Sequence, residues 1–209
     1  MKKEIKLYST LFILAIYALI LSGCGAEKNM KKGEKYLAVG EYYDAATQFK
    51  RAYQRTAPKE REKRGKIALK VAYCNERINS TQKALAAYSN AIRYNQASTQ
   101  DRLSYARLLL KNGAYKQAET EFRTVLDSMP DNVLAKNGLA SAQNAPQWKK
   151  DGSRYQVKRM DVFNSRRDDY SPVLGGDQYD CLYFTSTRND ATGNELSGIT
   201  GAKAADIFV

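Results

Sequence analysis

No histidine occurs among the 209 residues. Serine–histidine–aspartate and cysteine–histidine catalysis are thereby excluded, and so is the commonest zinc ligand. No glycine-rich phosphate loop, zinc-ligand spacing or nucleophile elbow occurs either. Long hydrophobic runs are missing too. The longest is Leu11–Leu21, well short of the roughly 20 residues a helix needs to cross the hydrocarbon core. Cysteine is scarce, at three. Cys74 sits in a helical pattern and Cys181 in a strand pattern, which favours two small core residues over a Cys74–Cys181 disulfide.

What the chain does have begins at its start. Met1-Lys2-Lys3-Glu4-Ile5-Lys6 is a short basic segment, and the apolar run Leu11–Leu21 follows it. That order reads as a secretory signal. Its exit, Leu21-Ser22-Gly23-Cys24, resembles the lipobox of bacterial lipoproteins. The resemblance implies cleavage after residue 23 and a mature chain that starts at a lipidated Cys24. Each buried methylene contributes about 0.8 kcal/mol, so several acyl chains hold a protein on a bilayer stably. The following residues, Gly25-Ala26-Glu27-Lys28-Asn29, carry no aspartate next to the cysteine and no acidic run. In such lipoproteins this implies the periplasmic face of the outer membrane. Without the signal, 31 basic and 21 acidic residues remain, a net of +10. In an exported chain that balance suits anionic lipid, cell-wall carboxylates or an acidic protein rather than nucleic acid.

An internal period comes next. Gly113, Tyr115, Ala118, Phe122, Val125 and Pro130 have counterparts in Gly40, Tyr42, Ala45, Phe49 and Ala52, with Pro58 one place late. Ala84, Tyr88 and Ala91 repeat the inner spacing, with Asn79 where the turn glycine belongs and Thr81 for the tyrosine. Ala84 and Ala118 lie 34 residues apart; Ala45 and Ala84 lie 39 apart, implying about five inserted residues around 56–64. Gly33, Ala72 and Ala106 share the small position of the preceding helices. The pattern resembles the tetratricopeptide repeat, over residues 26–59, 65–98 and 99–132, with residues 133–144 as a capping helix. Three repeats are about the minimum for a stable stack.

The resemblance implies a groove lined by first helices that binds a peptide or protein segment. Its positions fall on Lys66, Leu69, Tyr73, Arg77, Leu103, Arg107 and Lys111, a basic strip with apolar spots suited to an acidic or C-terminal segment. The chaperone-type carboxylate clamp is not matched, because Met30 and Glu34 stand where its first lysine and asparagine would be.

After Ala145-Pro146 the helical pattern stops, which marks 145–154 as a linker. Tyr155–Phe163 alternates as a strand would. Turn residues around Ser171-Pro172 and Gly175-Gly176-Asp177 precede the β-rich run Leu182-Tyr183-Phe184-Thr185, and Ala205–Val209 begins another strand. Asp168, Asp169, Asp177, Asp180 and Asp190 read as turn and strand hydrogen-bonding residues rather than metal ligands. Ser171, Pro172, Asp177, Leu182, Tyr183, Phe184, Ser186, Arg188, Asp206, Ile207 and Phe208 resemble one blade of a WD40-like (PD40) propeller. A propeller needs about 4–8 blades, so residues 155–209 read as the truncated start of one.

The expected fold is therefore mainly α: a tetratricopeptide helical-hairpin stack followed by an incomplete β-propeller. Lipobox, repeat stack and blade, in that order, resemble the OmpA-family outer-membrane lipoproteins associated with type IX secretion and gliding. The resemblance implies a non-catalytic, lipid-anchored periplasmic scaffold without a cofactor or metal, whose partners are envelope or secretion-complex proteins. Peptidoglycan would be reached only through a C-terminal module not present here. The alternatives are an outer-membrane-protein assembly or pilotin-like lipoprotein, or a carbohydrate-binding or enzymatic envelope protein with its activity in the propeller.

Overall fold

The computed structural model describes residues 25–209. The signal segment and Cys24 lie outside the described residues. The chain divides into two compact units between Lys150 and Asp151.

The first unit is helical: α1 (25–38), α2 (Tyr42–Arg55), α3 (Arg61–Arg77), α4 (Thr81–Arg93), α5 (Thr99–Lys111), α6 (Tyr115–Ser128) and α7 (Val133–Asp151). Three hairpins, α1–α2, α3–α4 and α5–α6, turn in the same way. Gly40, Asn79 and Gly113 stand at the same place with φ of 79°, 63° and 78°. The next residue donates back in each case: Glu41 to the Tyr36 carbonyl (2.9 Å), Ser80 to Asn75 (2.8 Å) and Ala114 to Leu109 (3.0 Å). These bonds satisfy carbonyls that the helix end would leave unpaired. Asparagine tolerates the left-handed conformation better than most residues, so the second repeat turns without a glycine.

Close approach is the rule between helices. Ala45, Ala84 and Ala118 are fully buried, and Phe49, Tyr88 and Phe122 fill the space beside them. A Cβ on Gly33 would lie 2.5 Å from the Phe49 ring, and one on Gly138 would lie 2.3 Å from the Phe122 ring. Both aromatic rings thus rest on bare backbone. Tyr88, which carries a polar tip into the core, donates its hydroxyl to Glu76 Oε2 at 2.6 Å.

The inserted residues between the first two repeats are mostly an extra turn of helix. Helix α3 has 17 residues where its counterpart α5 has 13. That turn is pinned by cation–aromatic contacts: the Arg64 guanidinium lies 4.1 Å from the Tyr53 ring centroid, and Arg61 lies 5.6 Å from that of Tyr94. Arg64 also donates to the Thr56 carbonyl at 2.9 Å.

Two expectations fail here. Helix α7 does not stop at residue 144 but runs through Pro146 to Asp151. Proline's fixed φ is already helical; Pro146 gives up the bond to the carbonyl four residues back and its ring crowds that carbonyl, but the helix goes on for only five more residues. Residues 155–163 form no strand. Tyr155, Val157 and Val162 are exposed, because no neighbouring strand covers their apolar side.

The second unit is an antiparallel sheet in the order β1-β2-β3: β1 (Asp169–Gly175), β2 (Cys181–Ser186) and β3 (Asp206–Phe208). Leu174 pairs with Leu182, so the segment read as turns is itself the first strand of a hairpin. Ser171, with φ of 53°, falls where the β1–β2 register shifts between Tyr170 and Val173.

Replacing Gly33 or Gly138 by alanine tests the packing. Helix propensity alone favours alanine by about 1 kcal/mol. Overpacking against Phe49 or Phe122 outweighs it, and each variant is expected to lose about 1–3 kcal/mol. Urea unfolding followed by far-UV circular dichroism measures the sign; a gain in stability would contradict the packing described.

Candidate functional site

Helix α3 carries two working faces. At 3.6 residues per turn, Lys66, Leu69, Tyr73 and Arg77 fall on one side, and Ala68, Val71 and Asn75 fall about half a turn away. The first side belongs to the strip read from the sequence. Lys66, Tyr73 and Arg77 are exposed and Leu69 is half-buried.

The strip is built with help from α2. The Tyr73 ring meets that of Tyr42 edge-on, with centroids 6.3 Å apart, and the Arg77 guanidinium lies 5.3 Å from the Tyr42 centroid. Tyr42 therefore positions both residues; sequence reasoning used it only as a repeat marker. Lys66 is paired with Glu62 one turn back, which holds the Glu62 carboxyl below its usual range by a hydrogen bond and by charge. Lys70 joins Glu34 at 2.7 Å, tying α3 to α1. On α5 the exposed line runs through Gln100, Arg107 and Lys111. Lys111, at the end of α5, donates to the Asn79 side chain in the α3–α4 turn of the preceding repeat.

Leu103 departs from the expected strip. Only 1% of its surface is exposed, and it packs in the core with Ala72, Tyr88 and Ala106. Its place on α5 lies just off the exposed line, toward α4, where an apolar side chain gains more from burial than from solvent. It is unavailable to a partner. The exposed cations without an acidic neighbour on this side are Arg77, Arg107 and Lys111, with Tyr73 among them.

Among the described residues Cys74 and Cys181 are free thiols. Burial pushes the Cys74 thiol up to about 11, so it is protonated and shielded at neutral pH. Among the described residues no three His, Cys, Asp or Glu side chains gather to hold a metal ion. No helix among them is long and apolar enough to cross a membrane.

In the second unit, Asp169 is the hub. Its Oδ1 accepts from Ser186 Oγ (2.6 Å), Arg188 Nη2 (3.0 Å) and Ser165 Oγ (3.2 Å). These bonds, the one from Ser186 above all, hold its carboxyl far below the usual range. The Arg188 guanidinium also lies 4.7 Å and 4.8 Å from the centroids of the Phe184 and Phe208 rings, which stack 6.0 Å apart. Asp206 accepts from the Thr192 backbone N–H and hydroxyl. Asp169 and Asp206 are therefore structural acceptors within the sheet.

Residues 79–142 match the tetratricopeptide repeat family. The helical unit has the fold of a tetratricopeptide-like stack. A solved tetratricopeptide structure, the C-terminal domain of an FK506-binding protein from Plasmodium falciparum, superposes with a TM-score of 0.52 at 14% identity. It covers 63% of this chain and 94% of that domain. Over 174 residues the chain is also 27% identical to DnaJ homolog subfamily C member 3 of Rattus norvegicus. That match takes in 78% of this chain but 31% of the relative, so the chain spans about a third of that protein's length. Repeats of this kind typically mediate protein–protein interaction, and the first-helix strip is where the tetratricopeptide stack offers exposed cations beside an aromatic ring.

Two measurements test these assignments. With iodoacetamide at pH 8, Cys181 is expected to alkylate in the folded protein and Cys74 only after urea is added; peptide mass spectrometry reads both. Asp169→Asn should speed amide exchange at Thr185–Thr187 several-fold. The folded carboxyl lies below its unfolded value, so its contribution is complete above about pH 5 and fades as acid takes the pH below about 4. The exchange difference between the two proteins should therefore shrink on acidification.

Proposed function

We propose that this chain is a lipid-anchored, non-catalytic periplasmic scaffold. The lipid on Cys24 tethers it to the periplasmic face of the outer membrane. The tetratricopeptide stack holds an acidic or C-terminal segment of another envelope protein, and the three-stranded sheet is one blade of a WD40-like propeller. The order of these parts supports a role like that of OmpA-family lipoproteins in type IX secretion or gliding complexes.

One observation carries the binding reading: Tyr73, Arg77, Arg107 and Lys111 are exposed in line on the first helices, where a tetratricopeptide stack presents its groove. An acidic segment would meet cations that steer and orient it, and an aromatic ring that contributes area. Lys66 and Leu69 extend the line, though Lys66 already has an acidic neighbour.

Envelope co-purification tests the proposal. Reversal of Lys66, Arg77, Arg107 and Lys111 to glutamate is expected to lower partner recovery by about tenfold or more, with helical content unchanged. Equal recovery would remove the groove assignment. Cys24→Ser is expected to move the protein from the membrane fraction to the soluble fraction; retention in the membrane would remove the anchor.

A further inference from the structure

A second concavity lies on the other side of α3. Its floor is Ala68, Val71 and Asn75, the face of α3 turned away from the first-helix strip, and its walls are α2 and α4. The volume is about 580 Å³. Helices α2 and α4 are equivalent second helices of successive repeats, so they run in the same direction and leave a trough between them. Ala46, Ala86 and Ala87 face this trough where larger side chains could have filled it. Asn75 is 4% exposed and spends its amide N–H on the Val71 carbonyl at 2.8 Å, which fixes the floor. The Tyr53 ring, held beneath Arg64, belongs to the α2 wall.

The charge of the trough is one-sided. Lys50 and Arg51 on α2 and Lys83 on α4 line it, and no aspartate or glutamate does. Among the described residues none of these three forms an ion pair. Lys66 and Lys70, on the strip side of α3, both do.

From this we infer that the α2–α3–α4 trough is a second docking site, and that it takes an amphipathic helix of another protein with small or aliphatic residues on one face and acidic flanks. Small residues on floor and walls let a helix axis approach to about 8–10 Å. A helix of about 14 residues spans roughly 21 Å, the length of α2 itself. Charge decides between occupants. A second copy of this chain brings a net +10 once its first 23 residues are removed. It is repelled by Lys50, Arg51 and Lys83, whereas glutamates on either edge of an apolar helix face would each meet a cation. This site is independent of the envelope role and uses none of the strip residues.

Fluorescence anisotropy on the full 209-residue chain in mild detergent tests it with two labelled 14-residue amphipathic helices. They share one Leu/Ala face and differ in having glutamate or lysine flanks. The glutamate peptide is expected to bind at least about tenfold more tightly than the lysine peptide. Two variants should each weaken it by about tenfold or more: Lys50→Glu with Lys83→Glu, which reverses the rim, and Ala86→Trp, which fills the trough without changing charge. Arg107→Glu with Lys111→Glu should leave its affinity unchanged. Circular dichroism confirms that each variant is folded. Failure of the glutamate peptide to bind, equal affinity for both peptides, or loss only in the strip variant would overturn the inference. So would binding to phosphatidylglycerol vesicles that the rim reversal abolishes while peptide binding persists, since the trough cations would then serve a membrane.

Discussion

The first unit depends on aromatic rings lying against backbone that has no side chain. Phe49 rests on Gly33 and Phe122 on Gly138, each closer than a methyl group would allow. This contact sets how near successive helices come, and so sets the pitch of the stack. Where the middle repeat uses Tyr88, the same space is filled by a ring whose hydroxyl must find a partner in the core, and Glu76 provides it. Burial and the bond to a carboxylate together raise that hydroxyl well above its ordinary range. A tyrosine there is tolerable only because α3 ends with an acceptor within reach.

With the pitch fixed, the surfaces of α3 are divided. One face meets solvent beside α1 and α5, and the opposite face floors the space between α2 and α4. The two faces differ in how their charges are used. Lys66 and Lys70 are drawn into pairs with Glu62 and Glu34, which orders the strip at its α1 side and leaves the free cations toward α5. Across the helix, Lys50, Arg51 and Lys83 stand over small apolar residues. A helical repeat that contacts only its neighbours can therefore present separate surfaces without either disturbing the other.

The sheet of the second unit follows a different economy. Its apolar side is small, and it is organised by one ionised carboxylate instead. Asp169 gathers Ser165, Ser186 and Arg188, and Arg188 in turn lies over Phe184 and Phe208. Three hydrogen-bond donors on one carboxylate oxygen are strong because the acceptor is charged. Ser186, fully buried, bridges strands β1 and β2 through that same oxygen.

Much of this was legible in the sequence, because repetition exposes it. The 34-residue spacing and the positions of Gly33, Ala72, Ala106, Phe49 and Phe122 identify the tetratricopeptide stack, since each has one steric job that recurs in every copy. Asn79 could stand for a turn glycine because its side chain tolerates positive φ. What the sequence could not supply depended on neighbours far along the chain. Leu103 reads as a groove residue by position, yet adjoining helices cover it. Pro146 reads as a break, yet proline's φ suits the helix it interrupts. Residues 155–163 alternate like a strand, but alternation needs a paired face, and none is there. The trough between α2 and α4 has no sequence signal at all: alanines and lysines twenty or more residues apart become one site only when two parallel helices bring them together. Local pattern determined which helices form and how they turn; tertiary packing decided which of their faces remain open.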